Sequence, residues 1–563
     1  MADDAAGAED QRGLTRRRAL GVGLGVGAGA WALGSGTAGA EPATATTLDP
    51  TGLQVVTAST VQDALEQVDA RLEGTLGGPG VINVRDYGAV GDGVTNDMPA
   101  VIDAVMAEKP TSNPLDWVPR FDPAVGGVLY FPPGTYSLSL MMLWFNGLHV
   151  VGAGAGTTTL LFRQASHAGG DRDAAPKLWF TDPRFDRRIH DVSIRDLTIR
   201  TDLRLTGDDP RGSGDTVLKF YAVDRLRVSG VEVADSPSFG ISVWDCTEVV
   251  VDHCYVHDTH IDGIHLASVT HGVVHGCRVD HTGDDAIAVS GGSDPATETK
   301  LSRQVVVSSN VVSRSGSNGI AAFGVDGLVL SDNTVSGTHQ AGIGLNQHDQ
   351  RWRTRNVVIR GNHVDGAGLY GESTDVLWGA GVPYGISVGR DQSQATTTIE
   401  AILIEGNLVD QCRNSFVCVE RAADVTVSGN RLHGPLITEQ PAPGSAQQQG
   451  SSGAGLMIPP PGAHGGGEAS VFPAIRARRA PRPRVDNNVV RPASGQRAVL
   501  VEGAAAADVV RARVSDNSID RGTSPPLGTQ GVDEIAIGPA GVVAYQGGND
   551  VNGLALAPVN TPA

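Results

Sequence analysis

The chain has 563 residues, of which 40% are hydrophobic and only 5% aromatic, and it contains 74 glycines. This length exceeds that of an ordinary single domain, so the chain is either several domains or a repeat array. Lysine and arginine number 43 against 62 aspartates and glutamates, which gives a formal net charge of −19. This balance excludes a nucleic-acid partner, because phosphate binding requires a basic surface. It also disfavours a strongly anionic polymer, although the local field at a groove decides such binding.

Residues 1–40 have the features of a Tat export signal. Arg16, Arg17 and Arg18 precede an apolar run rich in glycine and alanine, and a small-residue cleavage site follows at Ala38-Gly39-Ala40. The alternative, a transmembrane anchor, is weaker because the run is short and ends in that site. We therefore expect a secreted protein, extracellular or associated with the cell wall, with no membrane attachment after cleavage.

Residues 41–80 are predicted to be a linker and a short helix. Ser59 and Gln62 form a capping box, and apolar residues recur on one face up to Glu73. We expect this helix to cap one end of a repeat array. The alternative is a role in subunit contacts, so both a monomer and a homotrimer remain open.

A strand, a glycine-rich turn, a helical stretch and a second strand follow, over Val81–Asp97, up to Met106 and over Gly126–Tyr136. This order resembles the opening of the pectate-lyase-like superfamily of right-handed parallel β-helices. That superfamily includes the polygalacturonases of glycoside hydrolase family 28, α-1,3-glucanases and phage tailspikes. The resemblance implies the fold and leaves the activity open, because enzymes and adhesins share it.

An internal repeat of 23 residues runs through the middle of the chain. One column consists of Gly240, Gly263 and Ala286 and, after an insertion, Gly319 and Gly342; a second consists of Cys254, Cys277, Asn310 and Asn333. Asparagine tolerates the left-handed conformation of a sharp corner, and stacked amides can satisfy one another. One unit cannot bury its own apolar face, so coils must stack roughly 4.8 Å apart. With the resemblance, the repeat predicts an all-β fold, a single-stranded right-handed parallel β-helix with short N-terminal helices.

The repeat also sets the expected domain boundaries. A β-helix catalytic domain is predicted over 81–435, with further coils over 481–545. The segment between them, 436–480, is rich in proline, glycine and serine and is predicted to be a low-complexity loop. Residues 546–563 are predicted to be a C-terminal tail.

The residue before the glycine column predicts a cluster of carboxylates. This position holds Asp262 and Asp285 in adjacent coils, and Asp284 is beside Asp285. Like charges roughly 5 Å apart repel, so at least one proton should be retained above the usual carboxyl pKa. A carboxylic acid and a carboxylate together are what glycoside hydrolysis requires. The alternative is that these aspartates only cap backbone amides at coil turns.

The segments 260–265 and 282–289 resemble the Asn-Thr-Asp-Gly and Gly-Asp-Asp-Cys-Ile-Ala-Ile motifs of the polygalacturonases. The resemblance implies an inverting hydrolase with Asp284 or Asp285 as acid and Asp262 with its neighbour as base. The α-1,3-glucanases of family 87 are similar in having one aspartate followed by a pair one coil later.

Two departures from the polygalacturonase pattern concern the substrate. The family's Gly-His-Gly falls on Ser317-Asn318-Gly319, without the histidine, and its uronate-gripping Arg-Ile-Lys falls near Gly344-Leu345-Asn346, without either cation. Arg351 and Arg353 are nearby but out of register. A neutral polysaccharide is therefore expected rather than a galacturonan.

We expect further substrate contacts from six residues: His260, His265, Asn318, Trp244, Arg351 and Arg353. His260 is two residues before Asp262, hence on the same strand face, whereas His265 shares that face only if the turn at Gly263 breaks the alternation. Trp244 could stack on a sugar ring or pack under a loop. A metal centre of His260, Asp262 and His265 is the weaker alternative, so neither a metal nor another cofactor is expected.

Two other activities stay open. A polysaccharide lyase or epimerase of this fold resembles enzymes that typically need an arginine or lysine base and often calcium, and Lys300 is the only lysine close in sequence. A non-catalytic, tailspike-like glycan-binding protein would have no use for the three aspartates. Among the five cysteines, Cys412 and Cys418 could pair in an oxidising exterior, whereas Cys254 and Cys277 are predicted to stack as buried thiols.

Overall fold

The computed structural model describes residues 80–163, 177–202, 216–292, 300–346, 352–368, 384–390, 399–412, 415–433, 474–478, 480–492, 498–502, 512–521, 535–537, 544–551, 554–555 and 559–561. These residues belong to one compact unit, Leu76–Ala563. The predicted export signal and the predicted helix over 59–73 lie outside the described residues.

The described chain winds through three sheets that are parallel except for the last strand of the first and of the second, and most coils give one short strand to each sheet in turn. The first sheet has 16 described strands: Val81–Asn83, Gly127–Phe131, Leu148–Gly152, Ile189–Arg195, Val223–Ser229, Thr247–Asp252, Thr270–His275, Ser302–Ser308, Val325–Ser331, Thr354–Arg360, Ile399–Glu405, Ala422–Ser428, Arg484–Asp486, Ala512–Ser515, Ala544–Gly547 and Val559–Thr561. The second has 16 described strands: Asp92–Asn96, Gly134–Leu138, Thr158–Phe162, Thr198–Thr201, Glu232–Ala234, Tyr255–Thr259, Arg278–Thr282, Val311–Ser315, Thr334–Thr338, His363–Ala367, Leu408–Asp410, Arg431–His433, Val489–Arg491, Ser518–Ile519, Asp550–Val551 and Leu554–Ala555. The third has 13 described strands: Met141–Leu143, Leu178–Phe180, Leu218–Tyr221, Ile241–Trp244, Ile264–Ala267, Ile287–Ser290, Ile320–Phe323, Ile343–Asn346, Ile386–Arg390, Val417–Glu420, Ile475–Arg478, Val499–Glu502 and Ile535–Ile537.

The remaining described elements lie near the start of the solenoid. They are the α-helix Met98–Val105, the 3-10 helices Val84–Tyr87 and Pro114–Asp116, and the antiparallel pair Met106–Glu108 and Val118–Pro119. No helix in the described part of the chain is long and apolar enough to cross a bilayer. The predicted right-handed parallel β-helix is confirmed.

The 23-residue repeat is the strand register itself. Ile241 pairs with Ile264, and Ile264 pairs with Ile287, in neighbouring third-sheet strands. Their side chains are fully buried, because alternate residues of each strand point inward and one coil covers the next.

A ladder of buried asparagine amides follows one corner of the coil, as the second repeat column predicts. Each Nδ2 donates to the Oδ1 of the next asparagine at 2.8–3.0 Å along the series Asn310, Asn333, Asn362, Asn407, Asn430, Asn488, Asn517 and Asn549. The backbone differs from the expectation, because the left-handed residue is the one before each asparagine, such as Asp332 or Gly406. The asparagine contributes its amide rather than its conformation.

The core changes character along the solenoid. Most of its largest fully buried aromatic side chains belong to the early coils: Phe131, Tyr136, Phe162, Phe180 and Phe220. Phe180 and Phe220 stack with centroids 4.9 Å apart. Later described coils are filled mainly by valine, isoleucine and leucine.

Three details differ from the sequence analysis. The strand Ile475–Arg478 lies inside the predicted loop 436–480, because its only apolar positions are Ile475 and Ala477 and give little signal. The predicted tail contains Val559–Thr561, which folds back antiparallel onto Ala544–Gly547. No disulfide joins Cys412 and Cys418, which are both buried thiols, as are Cys254 and Cys277.

Candidate active site

Three carboxylates meet at the turn between the second and third sheets. Asp262 lies between the strands Tyr255–Thr259 and Ile264–Ala267, and Asp284 and Asp285 occupy the same turn one coil later. One oxygen from each of the three side chains lies within 4.8 Å of the others. Asp262 and Asp285 are buried, whereas Asp284 is half-buried. The turn therefore presents Asp284 outward, with the other two behind it.

Hydrogen bonds connect the residues that occupy this turn position in successive coils. The Asp285 backbone N–H donates to Oδ1 of Asp262 at 3.1 Å. Oδ1 of Asp285 accepts the backbone N–H and the Nδ2 of Asn318, both at 2.8 Å, and Oδ1 of Asn318 accepts the Ala341 N–H at 3.2 Å. Capping of backbone amides is thus a real part of what these aspartates do, and it fixes their positions.

Both buried carboxyls have a pKa above the ordinary carboxyl value. Burial, followed by the charge of Asp285, raises the pKa of Asp262 well above its usual range. Burial also raises the pKa of Asp285, against the hydrogen bonds from Asn318 and Ser317, which lower it. Because the two groups interact, they retain a proton as a pair at a pH where free carboxyls are ionised.

His265 contacts this pair directly. Its Nδ1 lies 2.5 Å from Oδ2 of Asp262, and its Nε2 lies 3.0 Å from Oγ of Ser290. Burial lowers the pKa of His265 to about 4, so the ring is neutral at neutral pH. The turn at Gly263 does break the strand alternation, which was the condition for His265 to face Asp262.

Trp244 holds the imidazole in place. Its ring stacks on His265 at 5.5 Å between centroids with planes 7° apart, and Phe239 meets the same ring edge-on at 4.9 Å. The Trp244 Nε1 donates to Oγ of Ser242 at 2.6 Å. One face of the indole is thus used for packing. Trp244, which the sequence analysis suggested as a surface for stacking on a sugar, also positions His265.

Two of the other expected contacts are placed differently. His260 lies in a bend after the strand that ends at Thr259, so strand alternation does not set its orientation and the shared-face argument was wrong. Arg353 is exposed in the segment between the third and first sheets, at the opposite edge of the third sheet from the carboxylates. Arg351 lies outside the described residues.

The outer face of the third sheet carries residues that sequence reasoning missed. Trp179, Lys219, Ser242 and His265 are consecutive partners in the register of four neighbouring strands. The ammonium groups of Lys177 and Lys219 lie 5.3 Å and 4.9 Å from the ring centroid of Trp179. The Lys219–Ser242 and Ser242–His265 steps both equal the 23-residue repeat, whereas the Trp179–Lys219 step is much longer, so nothing in the sequence indicated that Lys219 lies beside Trp179.

Two family models match the chain. Residues 81–223 match "Rhamnogalacturonase A/epimerase, pectate lyase-like", and residues 211–350 match "Right handed beta helix region". Together they span the early and middle coils, including the three carboxylates.

Two individual proteins show the range of the curated relatives. A probable polygalacturonase of Arabidopsis thaliana is 28% identical over 223 residues, 38% of this chain and 43% of that protein. The mannuronan C5-epimerase AlgE4 of Azotobacter vinelandii is 26% identical over 205 residues, 32% of this chain and 31% of the epimerase. The chain thus spans less than half the length of these curated relatives.

Among solved structures, pre-mature gene product 12 of bacteriophage phi29 has a TM-score of 0.51 at 13% identity, over 89% of this chain and 60% of that one. This likeness shows the fold alone. The repeat and the three sheets show a right-handed parallel β-helix, and the two family matches support a place for the chain in the pectate-lyase-like superfamily.

Proposed function

We propose that this chain is an exported glycoside hydrolase that cleaves a polysaccharide with Asp262, Asp284 and Asp285. The observation that carries the proposal is the gathering of three carboxylates within 4.8 Å, two of them with raised pKa values. The similarity to a probable polygalacturonase supports the same reaction class.

We assign the roles of the three carboxylates from their burial. Asp284 is half-buried and is the group that can reach the glycosidic oxygen, so we assign it the acid role. Asp262 and Asp285 are joined through the Asp285 backbone N–H and together take a proton from the attacking water. A base works best when its pKa lies near the working pH, which the raised pKa values favour.

The stereochemical outcome is part of the proposal. The resemblance to polygalacturonases implies inversion, whereas inverting enzymes usually separate their carboxyls by roughly 6.5–9.5 Å and retaining enzymes by roughly 5–5.5 Å. The separation of under 4.8 Å between the nearest oxygens is closer to the retaining spacing. We propose inversion, because hydrogen bonds to neighbouring coils restrain Asp262 and Asp285 from moving onto an anomeric carbon.

The second candidate function is lyase or epimerase chemistry. Its specific support is the similarity to mannuronan C5-epimerases together with a neutral histidine, His265, beside Asp262. Such an enzyme removes a proton from a sugar carbon rather than protonating a glycosidic oxygen.

One set of assays distinguishes a hydrolase from a lyase and from an epimerase. The purified protein is incubated with neutral, uronate and sulfated polysaccharides, beside Asp262→Asn, Asp284→Asn and Asp285→Asn variants and Asp258→Asn as a surface control. We expect new reducing ends, loss of at least 10²-fold in each site variant, full activity in the control, and an inverted anomer by NMR. Unsaturated products absorbing in the ultraviolet would favour a lyase, a changed C5 configuration without cleavage would favour an epimerase, and activity in all three site variants would make the aspartates structural.

A further inference from the structure

Two lysine side chains flank a single tryptophan on the outer face of the third sheet. The chain has only four lysines, and the ammonium groups of Lys177 and Lys219 both lie within 5.3 Å of the Trp179 ring centroid. Lys177 is buried, with 5% of its surface exposed, and Lys219 and Trp179 are half-buried. Both ammonium groups therefore lie against one indole ring where water reaches them poorly.

The charge of Lys219 is not balanced within the described part of the chain. Burial and the neighbouring charge of Lys177 lower the pKa of Lys219, and no described carboxylate acts on it in the opposite direction. Like charges that are partly desolvated repel, and an anion beside Lys219 would offset the repulsion and part of the desolvation penalty. The Nε1 of Trp179 is buried without a hydrogen-bond partner, so this cluster has an unused donor as well as positive charge.

The cluster lies on the same face as the carboxylates, at a fixed distance along the solenoid. Lys219 pairs with Ser242, which pairs with His265, the residue in contact with Asp262. Two strand spacings separate Lys219 from His265, which is roughly 10 Å, and three separate Trp179 from it, roughly 14 Å. These separations correspond to a polysaccharide chain running along the axis for a few sugar units.

Aromatic side chains line the same path. Phe185 lies 5.5 Å from Trp179 and 5.6 Å from Tyr221, and its side chain is 52% exposed. Tyr221 pairs in register with Trp244, which stacks on His265. Aromatic rings at such positions pack against the apolar faces of sugars, so they would connect the lysine cluster to the carboxylates.

We propose that Lys177, Trp179 and Lys219 form a subsite for a negatively charged sugar, two to three coils before the carboxylates. This inference rests on the proposed function, since it assigns a substrate class to that site. The charge is carboxylate or sulfate, and either is recognised by the same two ammonium groups. The neutral glycan expected from the absent cations at 344–346 is replaced here by a glycan charged at a distance from the cleaved bond.

The test measures binding apart from cleavage. In an Asp284→Asn background of the full chain, calorimetry gives Kd for an oligouronate, a sulfated galactan oligosaccharide and a neutral α-1,3-glucan oligosaccharide. We expect tighter binding of one charged probe, a rise in its Kd of about tenfold in Lys177→Met and in Lys219→Met, and partial recovery in Lys219→Arg. Lys109→Gln removes a remote positive charge and should leave every Kd unchanged, and thermal melting confirms that each variant is folded.

The outcomes separate the subsite from the hydrolase. If the protein cleaves no probe but prefers a charged probe in a lysine-dependent way, the proposed subsite is supported and the proposed hydrolase activity is refuted. Cleavage that depends on the aspartates, without a preference for charge or with one that survives both lysine variants, would overturn the subsite and keep the hydrolase.

Discussion

The backbone N–H of Asp285 donates to Oδ1 of Asp262 at 3.1 Å, so two carboxyl groups that are 23 residues apart are joined through the main chain of neighbouring coils. The same geometry buries both and brings their charges together. Their raised pKa values are therefore a property of the coil register.

The first prediction concerns the pH dependence of activity. The base must be ionised, so raising its pKa moves the acid limb of the kcat/KM profile above the ordinary carboxyl pKa of about 4. Hydrogen bonds from Asn318 lower the pKa of Asp285, so Asn318→Ala should move that limb further upward. The pH–rate profiles of the two proteins measure this, and a limb that moves downward in the variant would contradict it.

The second prediction concerns stability. A carboxyl whose folded pKa is raised binds more protons in the folded state, so its ionisation destabilises the fold as pH rises from the unfolded value of about 4 through the folded pKa. Asp262→Asn keeps an oxygen for the Asp285 N–H and removes the buried charge. We expect its melting temperature to exceed wild type by a few degrees at pH 7 and by less at pH 4.

A matched control for that comparison is Asp326→Asn. Arginine neighbours lower the pKa of Asp326, so its contribution has the opposite sign: it stabilises above the unfolded value and is lost as pH falls through the folded pKa. Destabilisation in both variants at pH 7 would refute the prediction that the buried charge of Asp262 destabilises the fold.

The third prediction treats His265 as a positioning residue. Its ring links Asp262 to Ser290 and is fixed by Trp244, so His265→Ala should lower kcat by about 10²-fold through misplacement of Asp262, with little change in KM. The exposed His275, which contacts Ser308, offers a matched control, His275→Ala, expected to be fully active. A rise in KM of similar size with an unchanged kcat would instead indicate that His265 contacts the substrate.

The fourth prediction concerns the asparagine ladder. Asn407→Ala removes the acceptor of the Asn362 backbone N–H and Nδ2, both buried, and should lower the free energy of unfolding by roughly 2–5 kcal/mol. Asn113→Ala, at an exposed turn where the side chain accepts only the Leu115 N–H, should cost about 1 kcal/mol. Urea unfolding measures both, and equal effects would mean that the ladder adds no stability of its own.

The sequence predicted the architecture because strand register and repeat are the same quantity. Once Gly263 and Ala286 are aligned, Asp262 must lie one coil from Asp285. The prediction was wrong where local backbone decides: His260 lies in a bend, and the left-handed residue precedes each asparagine. It did not find Lys219 beside Trp179, because an interval much longer than the repeat separates these residues and only the sheet brings them together.

The asparagine ladder and the aliphatic coils around it have a consequence for assembly of the solenoid. Identical rungs are interchangeable, so a strand displaced by one whole coil would find nearly the same partners and nearly the same core. The stacked pair Phe180 and Phe220 has no such substitute in the aliphatic coils. We therefore expect the coils with the aromatic core to fold first and to set the strand register of the coils that follow.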